Sequence, residues 1–309
     1  MSSLRNAVED YLRMRRALGY KLETPGRQLE QFVSYLEQTG AQTVTIENAV
    51  AWATQPAEAD PGYWGARLSV VRQFARHLQT IDPACEVPPA RLLPYRSQRA
   101  IPYPYTPEQI AALMRAAARL PSPLMAATYP TLFGLLAVSG VRIGEAIGLD
   151  RDDVDTRHGL LRVINSKFGK SREVPLDASA MRALNRYARR RDQLCPRPAS
   201  EAFLLSTAGT RLQGPHIHRV FSRLRRTVGL EPRSLRCRPR LHDLRHRFAV
   251  STLIDWYRAG VDVQARLPWL STYMGHAEPS DTYWYLSAAP ELLGLAARRL
   301  EPTIEQVQG

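Results

Sequence analysis

Between Asp82 and Pro104 the chain carries six prolines, Pro83, Pro88, Pro89, Pro94, Pro102 and Pro104, with basic residues among them. No helix runs through such a segment, because each ring removes an amide donor and collides with the preceding turn. The 309 residues are thereby divided into a short N-terminal part and a long C-terminal part. Both are long enough to bury a core, and a hydrophobic content of 44% excludes a wholly disordered chain. The expected organisation is one domain over residues 1–90, a linker over 91–103 and a second domain over 104–309.

Hydrophobic spacing fills in the elements. In the first part Val8, Tyr11, Leu12, Met14 and Leu18, then Leu29, Phe32, Val33 and Leu36, then Ile46 to Ala53, then Trp64 to Leu78 repeat with helical period, which predicts a bundle of about four helices. In the second part Thr106-Pro107-Glu108-Gln109 combines a capping hydroxyl, a proline at the first helical position and an acidic first turn, predicting a helix through Arg119. An apolar helix over Leu132 to Val138 ends at Ser139-Gly140, and the glycines that follow mark a turn into another helix. Leu160 to Ile164 and Glu173 to Leu176 are β-rich and flank a polar turn, hence a hairpin. Helix resumes from Leu176, a basic helix covers Gln213 to Thr227, and an apolar, arginine-ended helix is expected over Pro290 to Leu300. The fold class is therefore mainly α with a small β-sheet or hairpin, α+β.

Charge narrows the partners. Forty-two Lys and Arg against 29 Asp and Glu give a net charge of +13, for which a polyanion is the simplest partner. Nucleic acid comes first and an acidic membrane surface second, although arginine-rich proteins that bind no DNA share the same balance. Only three of the cations are lysines, Lys21, Lys167 and Lys170, and two of these lie three residues apart in the hairpin turn. A lysine ammonium can release a proton when its surroundings lower its pKa, whereas arginine cannot. The turn therefore either needs an amine or is a solvated tip. The cysteines Cys85, Cys195 and Cys237 lack metal-ligand spacing and leave an odd thiol, so neither a zinc ribbon nor a disulfide framework is expected. No apolar run reaches membrane-span length and the N-terminus reads as a polar amphipathic helix, so the expected location is the cytoplasm, in association with the nucleoid.

Chemistry concentrates from Arg211 onward, with eleven arginines from Arg211 to Arg247 inclusive. Within Leu241-His242-Asp243-Leu244-Arg245-His246-Arg247, His242 and Arg245 share a helix face and can hold a phosphate between them. The pairing alone is weak, since His216 and Arg219 repeat it. His242 and His246 have the spacing of metal ligands, but they lack a zincin's intervening glutamate and would set Arg245 beside a cation, so no metal is expected.

Taken in order, Ser139-Gly140-Val141-Arg142-Ile143-Gly144-Glu145, the hairpin Lys167-Phe168-Gly169-Lys170-Ser171-Arg172-Glu173-Val174-Pro175-Leu176, then His242-Asp243-Leu244-Arg245-His246, then Met274-Gly275-His276 with Tyr285 nine residues on, resemble the tyrosine recombinases of the phage-integrase and Xer type, transposon-encoded integrases among them. The likeness is strong over residues 104–290 and extends to 1–90 only as a helical module of suitable size. It implies an N-terminal core-binding, SAM-like helical domain that binds DNA, followed by a catalytic domain. It implies Arg142, Lys167, His242, Arg245 and His276 as catalytic residues, Tyr285 as nucleophile and Glu145 as support. Each position also has a plainer reading: Arg142 as a helix-start ion-pair partner of Glu145, His276 as a core histidine, Tyr285 as part of an aromatic cluster with Tyr283 and Trp284. Lys170 is the alternative to Lys167, and Tyr283 to Tyr285. Residues two apart in a helix point about 200° apart, so only one of those two tyrosines can face the pocket. Tyr273 precedes the histidine and is the weakest candidate.

The implied reaction suits these groups. A phosphodiester repels nucleophiles and gathers charge in the transition state, which arginine forks and histidine donors stabilise without a metal. A phenol ionises near pH 10, more readily than serine, and leaves again on rejoining. The resemblance further implies a 3′-phosphotyrosyl intermediate, no cofactor, double-stranded DNA bearing specific sites as substrate, a C-shaped clamp of the two domains around the duplex, a tetramer on DNA and a C-terminal helix that docks on a neighbouring subunit. The rival expectations are a type IB topoisomerase, a noncatalytic DNA-binding regulator on the same scaffold and, more distantly, a membrane-surface protein.

Overall fold

A computed structural model describes residues 3–94, 100–166, 169–276, 278, 280–288, 292–295 and 297. The chain forms two compact units, Met1–Arg99 and Ala100–Gly309.

The first unit holds α1 (Ser3–Ala17), α2 (Glu23–Thr39), α3 (Ile46–Thr54) and α4 (Pro61–Leu78). Leu4, Val8, Tyr11 and Leu12 of α1 and Leu29, Phe32, Val33 and Leu36 of α2 form apolar stripes at three- and four-residue spacing that meet Trp52, Leu68, Val71 and Phe74 in one core. Thr45 starts α3 through a reciprocal cap with Asn48, and Asp60 with Pro61 starts α4. The proline-rich stretch is shared between the units: Cys85, Val87 and Leu93 pack on this core, whereas Tyr103 and Tyr105 are buried in the second unit.

The second unit begins with α5 (Pro107–Ala117), capped by Thr106 and Gln109 as its sequence requires and ending two residues earlier than expected. Next comes α6 (Pro123–Ser139), apolar on every side and buried through Tyr129, Leu132, Phe133 and Leu136, which packs against α5 in the main core of this unit. The short α7 (Ile143–Gly148) leads through a 3-10 turn at Arg151–Asp153 into β1 (Val154–Asp155), β2 (Leu160–Val163) and β3 (Arg172–Pro175). These pair antiparallel in the order β1-β2-β3, with Leu161 opposite both Val154 and Val174 on the buried face. The sheet thus has a third strand beside the expected hairpin, two residues long and too short to show alternation. Then follow α8 (Ala178–Leu194), α9 (Gly214–Thr227), α10 (His242–Arg258), α11 (Val263–Met274) and α12 (Ser280–Ala288). The last three surround a separate cluster of Leu253, Leu267, Leu270, Met274, Tyr285 and Leu292. The expected helix over Pro290 to Leu300 lies partly outside the described residues; Leu292 to Leu295 are helical.

Candidate active site

The basic motifs gather at the carboxyl ends of two helices. α6 stops at Gly140 (φ +59°) and α11 at Gly275 (φ +66°), both in the left-handed conformation that glycine adopts most readily. The space beside each is also taken: a Cβ on Gly140 would lie 2.5 Å from Phe248 Cδ1, and one on Gly275 2.7 Å from Arg172 Nη1. A helix end leaves its last carbonyls without internal partners, at the negative pole of the macrodipole. Guanidinium groups take them here. Arg245 donates to Gly140 O and, at 2.7 Å, to Met274 O. Arg142 Nη2 donates to Gly275 O at 2.7 Å, and Arg172 Nε to Tyr273 O at 2.8 Å. Three consecutive carbonyls of α11 and its cap therefore orient arginines from the loop before α7, from β3 and from α10.

Glu145 ties two of these together. Its carboxylate accepts the backbone N–H of Arg142 at 2.9 Å, Arg142 Nη1 at 2.7 Å and both Nη groups of Arg172 at 3.0 and 2.8 Å. Burial acts to raise its pKa, but the donors of Arg172 and Arg142 outweigh that and hold it at about 2. Arg142 is thus an ion-pair partner of Glu145, as its plainer reading has it, and at the same time lies near Arg245 and His276. Among the described residues Arg245 makes no salt bridge; it is 2% exposed, and burial brings its pKa down to about 10. One carboxylate in contact with two guanidiniums, beside a third that has carbonyls and a phenol but no carboxylate in contact, leaves the pocket cationic.

Histidines and a phenol complete it. His242 opens α10, and Asp243, 1% exposed and bridged to Arg240 at 2.7 Å, fixes that first turn. His242 is exposed, yet the protein around it desolvates the ring, and that, then the field of Arg245, lowers its pKa. His276 follows Gly275, with Nδ1 2.6 Å from Thr282 Oγ1, and burial followed by Arg245 and Arg142 pushes its pKa down to about 4. Tyr285 on α12 is 5% exposed, its ring 5.9 Å from His276 and 5.1 Å from His246. Burial raises the pKa of its hydroxyl, and the charge and hydrogen bond of Arg245 oppose that rise.

The alternatives separate clearly. Tyr283 is 56% exposed on the other side of α12, as the helical angle requires. The hydroxyl of Tyr273 donates to Pro175 O and its ring stacks on Phe248. His216 and Arg219 are exposed on α9. Lys167 lies outside the described residues, and the side chain of Lys170 is exposed while its carbonyl accepts from Ser166 N–H at 2.9 Å. Arg172 and Thr282 received no role from the sequence. Arg172 stands in the quoted hairpin, yet nothing local shows that it crosses to Glu145, 27 residues away.

With a mainly helical second unit and a cationic pocket that encloses a tyrosine, the molecule has the make-up of an enzyme that handles phosphodiesters. Residues 105–291 match the model of the phage integrase family, and the chain belongs to that family, the tyrosine recombinases. A putative integrase/recombinase, y4rB of Sinorhizobium fredii (strain NBRC 101917 / NGR234), is 46% identical over 307 residues, 97% of this chain and 98% of the relative. Among solved structures, the Tn1549 transposon integrase in complex with a circular intermediate DNA superposes with a TM-score of 0.63 at 16% identity, covering 97% of this chain and 100% of the other. A lambda integrase tetramer bound to a Holliday junction superposes with a TM-score of 0.59 at 18% identity, covering 91% of this chain and 76% of the other.

Proposed function

We propose that the chain is a site-specific DNA recombinase serving a mobile element, a reading supported by its likeness to the Tn1549 transposon integrase, and that it cuts and rejoins strands through a 3′-phosphotyrosyl bond at Tyr285. The observation that carries this is the position of Tyr285: its hydroxyl meets Arg245 inside its own chain's pocket, with Arg142 and His276 around it. A phosphate drawn into that pocket receives the arginine forks on its nonbridging oxygens, as preorganised stabilisation of the charge that grows during attack. Tyr285 attacks phosphorus in cis. Lys167 protonates the departing 5′ oxygen, and a 5′ hydroxyl of a partner strand later displaces the phenol. Glu145 supports Arg142. The arginines supply the charge the step needs, so no metal or nucleotide is called for.

Both units hold the duplex in this proposal, residues 1–90 as the core-binding domain and 104–309 as the catalytic one, and affinity falls steeply with salt as counterions are released. The assembly on DNA is a tetramer, with the C-terminal helix docked on a neighbour, and the protein works in the cytoplasm at the nucleoid. Among the described residues no helix is long and apolar enough to cross a membrane. The test is a nicked duplex copied from the DNA that flanks the gene. The full chain forms a covalent adduct with it and Tyr285→Phe does not; an adduct with the phenylalanine variant overturns the assignment. Joining two such duplexes distinguishes a recombinase from a type IB topoisomerase, and binding without any adduct would mark a noncatalytic regulator.

A further inference from the structure

A neutral imidazole carries one N–H, and the partner of one ring nitrogen decides whether the other is a donor or an acceptor. His276 is held in the neutral form by its burial and by the fields of Arg245, Arg142 and Arg172. Its usefulness to a phosphate therefore depends on tautomer. A proton on Nε2 offers the pocket a hydrogen-bond donor; a proton on Nδ1 leaves a lone pair on Nε2 that repels a phosphate oxygen.

Thr282 stands at the deciding nitrogen. Its Oγ1 is 2.6 Å from His276 Nδ1, the residue is 1% exposed, and a hydroxyl can donate as well as accept. It lies one helical turn before Tyr285 on α12, so the hydroxyl that meets the histidine and the phenol that meets Arg245 arrive on the same rigid element. We infer that Thr282 is a positioning residue that donates its hydroxyl to Nδ1, fixes His276 as the Nε2–H tautomer and thereby makes that donor available only while the nucleophile's helix is docked. The inference rests on the pocket being a phosphate site. It adds a coupling: a protomer whose α12 withdraws loses the phenol and the histidine donor together.

The experiment is nitrogen-15 NMR of the histidine rings in the full chain at neutral pH, with inorganic phosphate as the oxyanion probe and His276→Gln to assign the signal. The wild type and Thr282→Ser show His276 with the proton on Nε2, and Thr282→Val, equal in shape, loses that single form. A wild-type proton on Nδ1, or an unchanged spectrum in Thr282→Val, overturns the inference. On the nicked flanking duplex, Thr282→Val slows adduct formation by roughly tenfold to a hundredfold, below the full loss of a transition-state hydrogen-bond donor because the imidazole itself remains, and Thr282→Ser restores it. Equal rates for the wild type and Thr282→Val also overturn it. Absence of any adduct from the wild type, with the ring signals as expected, counts against the proposed reaction and leaves the tautomer assignment standing.

Discussion

Arg191 and Arg245 are each 2% exposed in the same unit, yet they are buried for different purposes. Arg191, near the end of α8, is neutralised: Asp192 accepts from it at 2.7 Å, Phe203 O at 3.0 Å, and its guanidinium lies 5.5 Å from the Phe203 ring centroid. Arg245 has carbonyls and a phenol instead of a carboxylate. A buried ion pair offsets its own desolvation, whereas a buried cation with only dipoles around it retains a demand for an anion. Burial by itself therefore does not mark a functional arginine. Between these two, the missing counter-charge does.

Replacing the two in parallel tests that contrast. Arg245→Met should slow adduct formation on the flanking duplex by about a thousandfold, the scale for loss of a transition-state donor, with a melting temperature unchanged or higher because an unneutralised charge has gone. A large loss of stability with little loss of rate would show Arg245 to be structural. Arg172→Ala comes next. It strips Glu145 of a bidentate partner and frees Tyr273 O, so it should lower stability by about 3 kcal/mol in urea unfolding and slow cleavage together, as breaking a buried pair does. If only one of the two falls, Arg172 does not join the sheet to the pocket as the geometry indicates.

Arg191→Met should leave cleavage unchanged and cost about 1–3 kcal/mol through the acceptors it abandons. A slowed reaction in this variant would erase the distinction between the two arginines. A further effect, confined to acid pH, is on pH dependence. His276, with a pKa of about 4 in the fold against an ordinary 6.5, binds its proton more readily when unfolded, so it penalises the native state progressively as pH falls from 6.5 to 4. Glu145 acts lower down: its stabilisation is complete above about 4.5 and is lost as pH falls towards 2. His276→Gln should therefore flatten the first loss and spare the second in thermal melts taken across that range.

Much of this was legible in the chain. The stripe of Leu29, Phe32, Val33 and Leu36, the cap of Thr106 and the break at Gly140 are local, and local chemistry realised them. Helix α11 was not singled out, because Pro268 and a weak apolar stripe hide it. Strand β1 was too short to see. The angle between Tyr283 and Tyr285 followed from helical geometry, but which of them turned inward was decided by the packing of α12 against His246 and His276.

By itself the sequence determined which side chains were available, in what order, and where helices had to stop. Tertiary structure alone decided what those side chains meet. The acceptors that aim Arg142, Arg172 and Arg245 are the carbonyls of Gly140, Tyr273, Met274 and Gly275, and a carbonyl is common to every residue, so no pattern of residue types can display it.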